Sequence, residues 1–144
     1  DHDCTCTASQ ISQYNKKISG PLLDRIDLVV PVQKVAHKHL LPSDDRVDQS
    51  EKILEQVMLA RKMQSERFGS TEKANAHMSN RDITTKAQLT KEAKDFLEVA
   101  ATKLALSARS YMKVIRVSRT IADLSNSQKI EKVHMSEALQ YRPR

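Results

Sequence analysis

Only two glycines, Gly20 and Gly69, and four prolines punctuate the 144 residues of this chain. A sheet protein of this length needs tight turns every eight to twelve residues or so, and those turns draw on glycine and proline. Helices need few such breaks, so the scarcity points to a mainly α fold. The rest of the composition agrees. Charged residues make up 29% of the chain and alternate in sign, as on solvated helix faces. Tryptophan is absent and aromatic residues are 3%, so any core is built from Leu, Ile, Val, Ala and Met. The length suits one domain, or one small domain and a piece of another.

Four segments carry helical periodicity. The first runs from about Ser50 to Phe68, with Ile53, Leu54, Val57 and Met58 on one face and Gly69 as its stop. After it, "GSTEKANAHMSNRD" reads as a polar loop. The second helix follows Thr90 as N-cap, with Ala93, Phe96, Leu97, Ala100 and Leu104 at i, i+3, i+4, i+7 and i+11. The third follows Ser107 and reaches Leu124, its apolar side drawn by Tyr111, Val114, Ile115, Ile121 and Ala122. A short helix over about Met135 to Tyr141 closes the chain.

The first 35 residues differ in character. Ile11, Tyr14 and Ile18 mark a short helix, which Ser19-Gly20-Pro21 breaks. "PLLDRI" predicts one helical turn with Pro21 at its first position, where the missing N–H costs nothing. "DLVVPV" predicts a buried strand, Leu28 to Val30, ending at Pro31. A lone strand is not stable in water, so this one is expected to belong to a sheet formed by residues outside the chain. The division is therefore 1–35, a linker at 36–46, and a helical domain at 47–144.

No run of about 18 apolar residues is present, so no membrane span is expected, and a cytoplasmic location is favoured. No phosphate-binding G-x4-G-K-S/T loop, G-x-G-x-x-G, H-E-x-x-H or nucleophile elbow occurs. The chain by itself is expected to catalyse nothing. Cys4 and Cys6, with His2 beside them, form at most half of a zinc site, and reduced thiols are the plainer reading. His37 and His39 lack a second ligand pair. A net charge of +6 is compatible with nucleic acid, nucleotide or an acidic partner.

Three sets of cations stand out. Arg25 lies between Asp24 and Asp27, where a surface salt bridge is the simple explanation. Arg109 falls in the first turn of the third helix, where a cation opposes the helix dipole, a hint that an anion holds it there. Lys113, Arg116 and Arg119 line the face opposite the apolar one, either as solvated surface or as contacts to nucleic acid or another subunit. A stand-alone helical DNA-binding module is the alternative these cations allow.

Two motifs carry a resemblance. "CTC" with "ISQYNKKISGPLLDRIDLVVPV", and "LALSARSYMKVIRVSRTIADL" with the closing "HMSEALQYR", resemble the C-terminal part of bacterial magnesium-chelatase-like AAA+ ATPases of the YifB/ComM competence type. The resemblance covers nearly the whole chain and is weakest at 69–88. It implies a four-helix AAA+ lid preceded by the tail, one strand, of an α/β AAA+ core. Arg25 then inherits the arginine-finger role, directed at the γ-phosphate held by an adjacent subunit, and Arg109 that of sensor 2. Cys4 and Cys6 match the second half of a four-cysteine insertion, which implies zinc for the full-length protein. ATP and Mg2+ are implied for the full-length protein, with none expected on this chain, because the Walker A and B elements are absent from it. Same-protein subunits in a ring, expected to be hexameric, and DNA are the implied partners. The implied activity is ATP-driven DNA remodelling.

Overall fold

The computed structural model describes residues 5–35 and 45–143, apart from the side chains at 15 and 45–49. His2, Cys4, His37, His39 and most of the predicted linker lie outside the described residues. Seven α-helices occur among the described residues: α1 (Ala8–Asn15), α2 (Gly20–Leu23), α3 (Asp45–Phe68), α4 (Asn80–Lys86), α5 (Lys91–Lys103), α6 (Ala108–Leu124) and α7 (Lys132–Gln140). A 3-10 turn, Asn75–His77, precedes α4. The chain is mainly helical, as the scarcity of glycine predicts.

Helix α6 is the axis of the bundle. It packs on α7, α3, α4 and the 3-10 turn, while α5 reaches the bundle through α7. The Ser107 hydroxyl caps it by accepting from Ser110 N at 3.1 Å. Val114, Ile115, Ile121 and Ala122 are buried along its length. They meet Leu97 of α5, Met135 and Ala138 of α7, and Ile83 of α4. Leu97 and Met135 are fully enclosed. Burying a side chain of this size stabilises a fold by about 1.5–3 kcal/mol.

Four helices end on a left-handed residue: α3 at Gly69 (φ 65°), α4 at Gln88 (φ 54°), α5 at Ala105 (φ 47°) and α6 at Asn126 (φ 53°). After α5 and α6 the next amide reaches back five residues, Leu106 N to Ala101 O at 3.0 Å and Ser127 N to Ala122 O at 2.8 Å. These bonds satisfy carbonyls that the helix ends would leave unpaired.

The predicted polar loop is corrected by the structure. Asn75 and Met78 are buried there, and α4 starts inside it and buries Ile83 just beyond. Ser79 and Asp82 form a capping box: Asp82 N donates to Ser79 Oγ at 3.1 Å, and Ser79 N donates to Asp82 Oδ2 at 3.0 Å. The Ser79 hydroxyl, a 3.0 Å bond from Lys73 and then the Ser79 amide hold the Asp82 carboxyl far below the usual carboxylate range.

Two apolar predictions also change. Helix α3 begins at Asp45, earlier than predicted, and only its C-terminal half meets the bundle, through Ala60 and Gln64. Ile53, Leu54, Val57 and Met58 of the predicted inward face are exposed. The predicted strand forms no ladder: residues 26–35 carry no regular element, and Leu28, Val29 and Val30 are 41–60% exposed. One backbone bond, Val29 N to Tyr141 O at 2.7 Å, ties this segment to the end of α7. Among the described residues no neighbouring strand offers a ladder, and the segment stays irregular.

Candidate functional site

The turn that carries Arg25 is built by α2. Pro21 sits in the first turn of this helix, and the chain then tightens: Asp24 N donates to Gly20 O at 2.9 Å, Arg25 N to Leu22 O at 2.9 Å, and Ile26 N to Leu23 O at 3.1 Å. The tightening lays the Asp24–Ile26 backbone against the N-terminal end of α6. The Asp24 carboxylate accepts from the Ser110 hydroxyl at 2.8 Å and from the Ser107 hydroxyl at 3.3 Å. Ser107 therefore does two things, accepting from its own helix and donating to Asp24. One turn along, Lys113 Nζ donates to the carbonyls of Asp24 at 2.9 Å and Ile26 at 2.8 Å. These two carbonyls flank Arg25 in sequence.

The first turn of α6 contains no acidic residue of its own. Asp24, from α2's end, supplies the missing negative charge near the positive pole of the helix. The hydrogen bond from Ser110 pulls its carboxyl below the ordinary 3.8, against the opposing effect of burial; Ser107, Lys113 and Arg109 add to the lowering. The dipole conflict read at Arg109 is thus offset by Asp24, and no bound anion is needed to explain it.

Arg25 and Arg109 themselves are both exposed. Among the described residues neither guanidinium has a hydrogen-bond or ion-pair partner, and the simple Arg25 salt bridge to Asp24 or Asp27 does not form. Arg109 lies close enough to Asp24 for its charge to lower that carboxyl. Neither arginine lines the 230 Å³ cavity behind the turn, whose polar walls are Asp24, Asp27, Ser110, Lys113 and Arg142. Two carboxylates there are unsuited to phosphate.

The other predicted cations are committed elsewhere, which corrects the basic face drawn for α6. Lys113 is 6% exposed and Arg119 is fully enclosed. Arg116, partly buried, donates through Nε to Met78 O at 3.0 Å. Arg119 donates to Ala87 O at 3.2 Å, Gln128 O at 2.9 Å and Ser127 O, and pairs with Asp123 at 3.0 Å. Asp123 is shared with Arg67 of α3, whose Nη1 donates to it at 2.9 Å, and with Asn75 at 2.7 Å. Burial is the main influence drawing the Arg119 guanidinium below its usual range, with Asp123 opposing it. Lys113 does fall opposite the apolar residues, but Arg119 lies about 120° round the helix from it, beside Ile115 and Ala122, and α6 is covered on both sides.

Of the predicted metal ligands, Cys6 is an exposed free thiol and Cys4 lies outside the described residues. Among the described residues no group of three or more His, Cys, Asp or Glu could hold a metal ion. Sequence reasoning missed Asp24, Ser110 and Lys113 as one cluster. It also missed the Arg67–Asp123–Asn75 network, whose only sequence trace is the i, i+4 spacing of Arg119 and Asp123.

A helical bundle preceded by a docked arginine-bearing turn matches known proteins over nearly its whole length. Residues 47–142 match the family described as magnesium chelatase, subunit ChlI C-terminal, and residues 1–40 the family described as magnesium chelatase, subunit ChlI. The chain belongs to the magnesium chelatase ChlI family. It is similar to competence protein ComM of Haemophilus influenzae, 41% identical over 133 residues that make up 92% of this chain and 26% of that protein. It is also similar to protein YifB of Escherichia coli, 33% identical over 141 residues, or 95% of this chain and 26% of that protein. The chain spans about a quarter of the length of these curated relatives.

Proposed function

We propose that this chain works as the C-terminal part of a ring-forming AAA+ ATPase. In this reading Arg25 acts as the arginine finger for ATP held by the adjacent subunit, and Arg109 contacts the phosphates of the same nucleotide. One observation carries the reading. The turn bearing Arg25 is hydrogen-bonded to the start of α6, which bears Arg109, while both guanidinium groups are left exposed and unpaired among the described residues. A permanently charged, planar guanidinium suits the charge that spreads over the γ-phosphoryl oxygens during transfer. Mg2+ accompanying the ATP would neutralise further charge. No described carboxylate cluster here fits that ion, and the sequence has no phosphate-binding glycine loop, so this reading assigns those parts to residues of the full-length protein.

The polymer the ring acts on is DNA in this proposal, supported by the similarity to a competence protein and by the net charge of +6. A hexameric ring, a cytoplasmic setting and zinc at Cys4 and Cys6 belong to the same proposal. No helix among the described residues is long and apolar enough to cross a membrane. The alternative, a stand-alone DNA-binding helix, loses Lys113 and Arg119 to internal bonds.

The test is ATP turnover by the assembled ring. Arg25→Ala is expected to lower kcat on the order of 1000-fold or more with nucleotide binding retained. Mixing these subunits with subunits whose phosphate-binding loop is disabled should restore part of the activity, because each supplies what the other lacks. Normal turnover by Arg25→Ala rings ends this reading.

A further inference from the structure

We propose that Lys113 is a positioning residue for Arg25: its ammonium grips the two carbonyls on either side of the finger and fixes the direction in which that side chain leaves the turn. The inference rests on the finger role proposed above and adds to it a residue that the sequence had placed on an outer basic face.

Lys113 is 6% exposed, so its charge has been withdrawn from water. A buried cation requires compensation, and here it comes from Asp24 O at 2.9 Å and Ile26 O at 2.8 Å, with the Asp24 carboxylate close by. Holding the carbonyls at 24 and 26 restrains the 24–25 and 26–27 peptide planes, which bracket Arg25 and Ile26. The Ser110 hydroxyl, at 2.8 Å from Asp24 Oδ1, secures the same turn from the side-chain direction. With the 3.3 Å bond from the Ser107 hydroxyl, four bonds from one helix end thus hold a turn whose own anchoring is weak: Leu22 and Ile18 nearby are about half exposed. The same helix carries Arg109 four residues before Lys113, one helical turn away. A shift of α6 would therefore carry both arginines together, so the finger's position follows the helical bundle's.

The experiment uses the assembled ATPase and four variants: Lys113→Met, Lys113→Arg, Arg25→Ala and the Arg25→Ala/Lys113→Met double. Methionine fills the space without donating, and a misdirected reacting group costs about 100-fold in rate. Lys113→Met is expected to lose kcat by about that factor while KM for ATP stays within about twofold. Lys113→Arg, which still donates to two carbonyls, should recover most of the loss. The double variant should be no slower than Arg25→Ala alone, because Lys113 acts only through Arg25. Hydrogen exchange at the Asp24–Ile26 amides should quicken in Lys113→Met while α6 and α7 keep their protection.

If Arg25→Ala abolishes turnover but Lys113→Met does not slow it, or if the two losses multiply, the positioning role is wrong and the finger stands. If Arg25→Ala turns over normally, the finger reading fails and takes this inference with it. Should Lys113→Met lose the bundle's protection as well, Ser110→Ala decides. A fall in kcat that vanishes in the Arg25→Ala background supports the clamp, and unchanged kcat overturns it.

Discussion

The two ends of α6 use arginine in opposite ways. Near the C-terminal end, Arg119 is fully enclosed, and its donors meet Asp123 and the carbonyls at 87, 127 and 128. Near the N-terminal end, Arg109 is exposed and has no partner among the described residues. The fixed charge is the same, but one is spent on holding the end of α4 and the 127–128 loop to α6, and the other is left available. Cations already saturated with internal bonds hold other groups in place, and direct contact with a ligand is left to those that are not.

Three measurements could break or sharpen that contrast. The largest effect is expected at the saturated end. Asp123→Ala leaves the Arg67 and Arg119 guanidinium groups buried without their shared anion, a change that costs about 3–5 kcal/mol. A chemical-denaturation loss under about 1 kcal/mol would mean that these cations find water instead, and the structural reading of Arg119 would fail.

A smaller effect is expected at Asp24 and depends on pH. Its carboxyl is lowered in the folded protein, so the folded state favours the ionised form. The stabilisation is complete above the unfolded value, near the ordinary 3.8, and disappears as pH falls through the lowered folded value. Wild type should therefore be more stable than Asp24→Asn at neutral pH, and the gap should close on acidification. A gap independent of pH would show that Asp24 acts by shape and not by charge.

The smallest effect on stability is expected at Arg109. Arg109→Ala removes no described bond and should change stability by no more than about 0.5 kcal/mol. If the proposed function holds, its consequence should appear in ATP turnover alone. A clear drop in melting temperature would place Arg109 with Arg119 and blur the contrast between the two ends.

Much of the fold was legible because its signals are local. Thr90 and Ser107 are the caps of α5 and α6, and Gly69 takes the left-handed conformation that ends α3. Ala105 takes a similar conformation without announcing it, since alanine carries no turn signal. Helix α4 was hidden by polarity, although Ser79 and Asp82 spell a recognisable cap. At the site, Arg25 and Arg109 were read from their motifs. The cluster that joins their two segments was not, because Asp24 and Ser110 are 86 residues apart in sequence.

The sequence alone determined that this chain is helical, where α5 and α6 begin, and to which family it belongs, because composition, caps and motifs act over a few residues. Only the tertiary structure decided which cations are free. From the sequence, Lys113 and Arg119 are both assigned to solvent, and whether either meets water depends on what packs over it. Here the turn around Arg25 covers one residue, and the end of α4 with the 127–128 loop covers the other.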